Sequence, residues 1–409
     1  MGINIGLDIG AISLKLAALG KPEEKPLLEG LCEASSTFRM IEWRRPDGEC
    51  WPLAISRYRR IAGSPIQSTY DLLRELYDRV PANKVLGIRV TGSGSRTIAK
   101  ILGIYFENEF KAVARMMAQF HPEARTIFEI GGESSKYIRL EPDPENGVPG
   151  IADYDRSGEC AAGTGSFLDQ QALRMGYAVE EIGTVVQRAQ TAARIAGRCS
   201  VFAKSDMIHA QQKGYTPDQI LRGLCDAVAR NFKSSIVRGR PVISPVALVG
   251  AVSQNAGVTR ALREAFALGE DDLIVPDTYA WCGAIGTAML EAEETNKRTF
   301  GDIHQLRQHE SARQAQASSR PLAMDNVVLL REQVRKYEPP PGDGPIPAYL
   351  GIDVGSVSTN VVAMDEFGHV IHDIYLRTAG RPIEAVQRGL WELGDVWGLR
   401  LEGVGVGAP

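Results

Sequence analysis

The 409-residue sequence predicts an α/β protein of more than one domain. Three features lead there. Short apolar strands alternate with amphipathic helical segments. A strand–glycine turn–strand unit near the N-terminus returns near the C-terminus. The composition, 44% hydrophobic and 23% charged, is that of a folded chain with a proper core. Forty-six Lys and Arg against fifty Asp and Glu give a net charge of −4. That balance argues against a nucleic-acid binder that works by counterion release and against a polybasic membrane anchor. Asp8 interrupts the apolar N-terminus and no small-residue cleavage site follows, so no signal peptide is expected. The longest uncharged run, Pro241 to Thr259, carries Ser244, Pro245, Ser253, Gln254 and Asn255, too many polar groups for a membrane span. Six cysteines, at 32, 50, 160, 199, 225 and 282, are too scattered for a disulfide framework. The expectation is a cytoplasmic, reduced protein.

Taken in order, Ile3 to Leu19 alternates apolar residues with Asn4, Gly6, Asp8, Ser13 and Lys15, which predicts a β-hairpin bending near Gly10-Ala11. A Trp/Arg-rich stretch, Thr37 to Gly63, precedes an amphipathic helix near Ser68 to Arg79 and a strand from Val85 to Thr91. The turn Thr91-Gly92-Ser93-Gly94 leads into a short helix. A helix from about Glu107 to Phe120 then precedes a second strand–turn–strand unit, Thr126 to Leu140, around Gly131-Gly132. From Cys160 to Val237 the periodicity is helical almost throughout, punctuated by Gly176, Gly197, Gly214 and Pro217. A buried strand at Val246 to Val249, a helix from Gln254 to Ala267, a strand from Asp272 to Val275 and a helix from Gly283 to Glu293 complete this region. From Thr295 to Pro347, Gln, Arg, Ser and His replace the apolar pattern, and Glu338-Pro-Pro-Pro-Gly-Asp-Gly-Pro reads as a stiff, solvated linker.

After the linker the opening motif returns. Gly6-Leu-Asp-Ile-Gly-Ala-Ile-Ser-Leu-Lys15 aligns with Gly351-Ile-Asp-Val-Gly-Ser-Val-Ser-Thr-Asn360 at an offset of 345, with four positions identical and four conservative. Gly87-Ile-Arg-Val matches Gly403-Val-Gly-Val at an offset of 316. The difference of 29 is about the length of the Trp/Arg-rich stretch, which therefore reads as an insertion in the first copy, near 37–66. The expected organisation is a domain over 1–294, a linker over 295–347 and, over 348–409, the beginning of a second copy that is truncated at Pro409.

A hairpin that carries a carboxylate into a glycine turn and leaves it with Ser and Lys suits a nucleotide phosphate. Glycines let backbone N–H groups approach the oxyanions, hydroxyl and ammonium groups add donors, and the carboxylate organises hydrated Mg²⁺. The chain has two such hairpins: Asp8-Ile-Gly10 with Ser13 and Lys15, and Glu129-Ile-Gly131-Gly132-Glu133 with Ser134, Ser135 and Lys136. A Gly-rich segment, Gly250-Ala-Val-Ser-Gln-Asn255, follows a buried strand and suits an adenosine. The plainer reading, that tight hairpins need glycine and their ends collect polar residues, covers one hairpin better than two in series with a third glycine turn. This order resembles the actin, sugar-kinase and Hsp70-like ATPase superfamily. The resemblance implies a duplicated fold of ribonuclease H-like halves closing over ATP, with Asp8 and Glu129 catalytic and Gly10, Ser13, Lys15, Gly131, Gly132, Glu133, Gly250 and Asn255 binding nucleotide. It does not choose among the activities of that superfamily.

The discriminating segments are Ser157-Gly-Glu-Cys160-Ala-Ala-Gly-Thr-Gly-Ser-Phe-Leu168 and Gly197-Arg-Cys199-Ser-Val-Phe-Ala. Buried free cysteines commonly act as small hydrophobes, and Cys32, Cys50, Cys225 and Cys282 are read that way. Cys160 and Cys199 stand where a loop meets a helix, whose positive end favours a thiolate. Two thiolates per chain supply half of a [4Fe–4S] cluster, and a two-fold dimer supplies four. The sequence around them resembles the activators of 2-hydroxyacyl-CoA dehydratases and the ATPase subunits of benzoyl-CoA reductase, over residues 3 to about 293. That resemblance implies one [4Fe–4S] cluster per homodimer on Cys160 and Cys199, with Mg²⁺ held near Asp8 through water. It implies a ferredoxin or flavodoxin as electron donor and a dehydratase or reductase iron–sulfur protein as acceptor, with neither nucleic acid nor membrane involved. The chain departs from the family at Glu129, usually Asp, at Glu133 and Ser134, usually Gln-Asp, and at Val113, usually His. In the second copy Asn360 replaces the lysine, which weakens that module or leaves it non-hydrolytic. A small-molecule kinase, a regulatory ATPase without a redox centre and a cluster scaffold gated by ATP are the other readings.

Overall fold

A computed structural model describes the chain apart from residues 1, 46–47, 62, 144–148, 159–161, 198–199, 299–300, 317–322, 335, 343, 399–400 and 408–409. The N-terminal alternation forms a hairpin of β1 (Ile3–Ile9) and β2 (Ser13–Leu19) with Asp8 opposite Lys15. After it come α1 (Lys25–Glu33), β3 (Phe38–Arg44), β4 (Cys50–Ser56) and β5 (Arg59–Arg60). Next are α2 (Pro65–Tyr77), β6 (Val85–Thr91), α3 (Ser95–Leu102), β7 (Tyr105–Phe106) and α4 (Glu109–Phe120). The strands build one sheet of order β3-β4-β2-β1-β6-β7, with β5 on β2 and with β6 parallel to β1.

A second hairpin, β8 (Thr126–Ile130) and β9 (Ser135–Pro142), sets Glu129 opposite Lys136 and continues into β10 (Pro149–Arg156). Four helices follow, α5 (Gly165–Arg174), α6 (Ile182–Val185), α7 (Ser200–Gln212) and α8 (Pro217–Asn231). Then come β11 (Val246–Val249), α9 (Ala256–Phe266), β12 (Leu273–Ile274), α10 (Cys282–Glu293) and α11 (His304–Gln316). This sheet runs β10-β9-β8-β11-β12, with β11 parallel to β8 as β6 is to β1. A third sheet is built from β13 (Ile346–Val354), β14 (Ser358–Asp365), β15 (Val370–Arg377) and β16 (Leu401–Gly407), with α12 (Pro382–Trp397) before the last strand. Its order, β15-β14-β13-β16, repeats the antiparallel hairpin beside a parallel strand, and Asp353 faces Asn360.

The chain groups into two compact units. One holds Met1–Phe167, Gly197–Ser200 and Cys225–Ser318; the other holds Leu168–Ala196, Val201–Leu224 and Ser319–Pro409. In the first unit the period of two along β1 separates two cores. Ile3, Ile5, Leu7 and Ile9 pack with α2 and α3 residues such as Leu73 and Ile98. The opposite face of β1 takes α10, which also packs against α4. Small residues permit that approach: a Cβ on Gly6 would fall on the Ala284 carbonyl oxygen, and one on Gly286 on that of Ala112. Arg89 on β6 is the polar bolt of this layer. Its guanidinium bonds Glu107 and Glu291 at 3.0 Å and Glu294 at 2.8 Å, and Arg89, Glu107 and Glu291 are all buried.

Three sequence expectations change. β15 pairs with β14 as β4 pairs with β2, so the extra residues of the first copy fall between Leu19 and Cys50, carrying α1 and the edge strand β3, and overlap the expected 37–66 only in its first part. The Trp/Arg bias had marked a stretch that includes a strand common to both copies. The start of the linker is also structured: α11 packs on α2 and α3, burying Ile303 and Leu306, because a helix needs only one narrow apolar stripe to dock. Within the helical middle, residues 189–197 have no regular structure.

Candidate functional site

Both hairpins of the first unit are built to one plan. At the first turn the Gly10 N–H donates to Ser13 O at 2.9 Å; at the second the Gly131 N–H donates to Ser134 O at 2.8 Å. Each turn holds its carboxylate and its lysine abreast on neighbouring strands. Lys15 Nζ lies 2.9 Å from Asp8 Oδ2 and donates to Ser13 Oγ at 3.1 Å. Lys136 Nζ lies 3.0 Å from Glu129 Oε2 and 2.7 Å from Glu109 Oε2. A glycine of positive φ follows the parallel strand in each half, Gly92 at +99° after β6 and Gly250 at +89° after β11. A Cβ on Gly92 would strike the Ile9 carbonyl oxygen, and one on Gly250 that of Ile130, so the crossing loop can lie flat on the hairpin end only as glycine.

The two hairpin ends and the two crossing loops line one cavity of about 360 Å³, within the range of small-ligand sites. Asp8, Gly10, Ser13, Lys15, Glu129, Gly131, Gly132, Glu133 and Gly250 of the sequence-predicted set all line it. Asn255 is not among its lining residues. Its Oδ1 accepts from the Gly257 and Val258 N–H groups as the cap of α9, which its position one residue before the helix dictates. Cys160 and Cys199 lie outside the described residues. Among the described residues, no group of three or more His, Cys, Asp or Glu side chains is placed to hold a metal ion.

Sequence reasoning missed Gly92, Glu109, Arg156 and Cys282, which also line the cavity. Glu109 is the first residue of α4, behind the cap Asn108, whose Oδ1 accepts from the Phe110 N–H at 2.8 Å. The Asn-Glu pair before an apolar run marks a helix start, but nothing in the sequence points that start at Lys136. Cys282 is a buried thiol that donates to Thr278 O at 3.5 Å; burial, with Glu129 and Asp8 nearby, keeps it protonated well above the ordinary thiol range.

The electrostatics follow from the pairing. Burial opposes the charge of Lys15, but Asp8 outweighs it and holds the ammonium pKa above the ordinary lysine value. Lys136 is pushed up in the same way by Glu129 and Glu109. Glu129 moves the other way for an acid: burial raises its pKa above 4.5, Glu109 and Asp8 add to the rise, and Lys136 only partly opposes it. The cavity therefore holds two ammonium groups, each paired with a carboxylate, beside a Glu129 carboxylate of raised basicity that can accept a proton. In the second unit the third hairpin keeps the turn, with Gly355 N–H to Ser358 O at 2.8 Å, but Asn360 Nδ2 meets Asp353 Oδ2 at 3.3 Å, so a neutral amide replaces the ammonium.

The profile of the BadF/BadG/BcrA/BcrD ATPase family matches residues 53–290. The 2-hydroxyisocaproyl-CoA dehydratase activator of Clostridioides difficile is 33% identical over 193 residues, which cover 46% of this chain and 69% of that protein. The activator of lactoyl-CoA dehydratase of Anaerotignum propionicum is 34% identical over 177 residues, 43% of this chain and 65% of that one. The chain thus spans about two thirds of the length of these relatives. The solved structure of the Clostridium difficile 2-hydroxyisocaproyl-CoA dehydratase activator with bound ADPNP superposes with a TM-score of 0.56 at 24% identity, covering 76% of this chain and 97% of that one, which establishes a shared fold. The fold is the duplicated actin/Hsp70/sugar-kinase-like ATPase fold. The chain belongs to the BadF/BadG/BcrA/BcrD ATPase family.

Proposed function

We propose that the chain is an ATP-dependent activator that passes a low-potential electron from an interfacial [4Fe–4S] cluster to a dehydratase or reductase iron–sulfur protein acting on a CoA thioester. The observation that carries the reading is the pair of matched hairpins facing one cavity, each with a carboxylate and a buried lysine abreast, in a chain of this ATPase family.

The cavity suits a triphosphate. Lys15 and Lys136 supply fixed positive charge, the Gly10 and Gly131-Gly132 turns leave room for oxyanions against the backbone, and Ser13 adds a hydroxyl. Asp8 would hold Mg²⁺ through water, and the ion would supply charge compensation for the phosphates. Glu129 accepts a proton from the water whose oxygen attacks the γ-phosphorus, as the bond to the β–γ bridging oxygen breaks and leaves ADP and phosphate. Gly250 and Ala251, which also line the cavity, are proposed to face the nucleoside. Cys160 and Cys199 each precede a helix, α5 at Gly165 and α7 at Ser200, and a second copy of the chain would complete a set of four thiolates. Val201 and Phe202, both 66% exposed on the first turn of α7, give that turn an apolar surface suited to a homodimer. A ferredoxin or flavodoxin is the proposed donor. The third hairpin, with Asn360 for lysine, is proposed not to hydrolyse ATP, and the linker proposed to separate the two modules begins after α11 and ends near 348.

Iron and sulfide analysis after anaerobic purification tests the cluster. About four irons per dimer are expected, falling to background in Cys160→Ala. A chain free of iron after anaerobic reconstitution overturns the activator reading and leaves a kinase or regulatory ATPase of the same fold.

A further inference from the structure

Lys136 is held from two sides. Its ammonium sits 2.7 Å from Glu109 Oε2 and 3.0 Å from Glu129 Oε2, and the side chain is 3% exposed. Glu109 and Glu129 both line the cavity, but they reach Lys136 from different elements, α4 and β8.

Glu109 has a fixed approach. It opens α4, where the helix dipole favours a carboxylate, and Asn108 caps that helix. The residue before the cap, Glu107, is clamped by Arg89 Nη1 at 3.0 Å, and its carbonyl oxygen accepts from Thr91 Oγ1 at 2.9 Å. These bonds deliver the α4 N-terminus to Lys136 as a rigid unit.

We propose that Glu109 is a positioning residue for ATP hydrolysis: it shares Lys136 from the α4 side, so that the ammonium only partly neutralises Glu129, whose carboxylate keeps the basicity to take the proton of the attacking water. The inference rests on the reading of the cavity as an ATP site. Two carboxylates share one ammonium here. Remove the charge of Glu109, and Lys136 pairs with Glu129 alone, engaging the oxygen that must accept the proton and lowering its basicity. Burial makes that exclusive pair costly to separate. The neighbourhood agrees: Glu109 is among the groups that raise the proton affinity of Glu129, against the pull of Lys136. Groups that face Glu129 from other elements are Asp8 on β1, Lys15 on β2, Lys136 on β9 and the Cys282 thiol on α10.

The step needs no further reactant. Water supplies the oxygen that joins phosphorus, its proton moves to Glu129, and the electron pair of the broken bond leaves on ADP. Glu109 neither gains nor loses a proton in it.

The test is steady-state hydrolysis of MgATP by the full chain, with AMPPNP binding measured alongside. Glu109→Gln is expected to lower kcat at least about tenfold while KM for MgATP and the Kd for AMPPNP stay within about twofold. Glu109→Asp, which keeps the charge, recovers part of that loss. In a Lys136→Gln background Glu109→Gln costs less than about twofold, since a residue that acts through Lys136 has nothing left to act on. A kcat within twofold of wild type, an equal loss in both backgrounds, or AMPPNP affinity lost together with kcat overturns the proposal. The last outcome marks Glu109 as purely structural. A wild-type chain that neither binds AMPPNP nor hydrolyses ATP overturns the ATP reading itself, and this inference with it.

Discussion

Glu129→Gln is expected to abolish most ATP hydrolysis while leaving nucleotide binding in place. The amide keeps the size of the side chain and can still accept from Lys136, but it cannot take a proton from water. Removal of a general base costs about 10²- to 10⁴-fold in rate, so kcat falls by that factor and the Kd for MgATP moves little. The wild type carries a matching pH signature. Burial raises the Glu129 pKa above 4.5, Glu109 and Asp8 add to it, and Lys136 holds the rise in check. The carboxylate works as a base only when ionised, so the rate at saturating MgATP rises with pH through this raised value and is lost as pH falls below it. In Glu129→Gln that limb disappears. A variant with wild-type kcat, or one that keeps the limb, removes Glu129 from the chemistry.

Arg89→Met is expected to destabilise the first unit by about 3–5 kcal/mol, the cost of leaving buried carboxylates without their cation. Arg89 reaches Glu107, Glu291 and Glu294 at once, and Glu291 has 1% of its side chain exposed. The substitution therefore strands Glu291 and leaves Glu107 to Lys111 alone, 3.4 Å away, where α10, β6 and the approach to α4 converge. Methionine restores some of the apolar contact but none of the hydrogen bonds. Because Glu107 leads directly into Asn108 and Glu109, chains that still fold should also hydrolyse ATP more slowly. Urea unfolding followed by circular dichroism measures the first effect; a midpoint unchanged from wild type shows that the network carries no stability.

The hairpins were the most legible part of the sequence. Apolar alternation, a glycine turn and the spacing from Asp8 to Lys15 specify strand, bend and partner within a dozen residues, and the repeat at Gly351 showed the same unit again. Local chemistry placed most of the cavity for the same reason, since the residues that line it end strands or form turns. What escaped depends on tertiary approach. Glu109 reads as a helix-opening acid until α4 is docked beside β9. Asn255 reads as a nucleotide ligand in a Gly-rich segment, and only the start of α9 one residue later shows that its Oδ1 caps a helix. The displaced insertion shows the limit of composition: Trp43 and Trp51 are striking in a sequence, but strand pairing, which the sequence does not display, decides which strand is extra. α11 was hidden because its polar composition outweighs the few residues, Ile303 and Leu306 foremost, that fasten it.

The central claim is that nucleotide in the hairpin cavity is felt at a cluster held by Cys160 and Cys199. The midpoint potential of the anaerobically purified dimer, followed by electron paramagnetic resonance with and without MgATP, tests it most directly. Each tenfold preference of MgATP for the oxidised form lowers a one-electron potential by about 59 mV. A cluster signal whose potential becomes more negative by tens of millivolts with MgATP is the predicted result. A signal and potential indifferent to saturating MgATP, or no cluster signal at all, would contradict it.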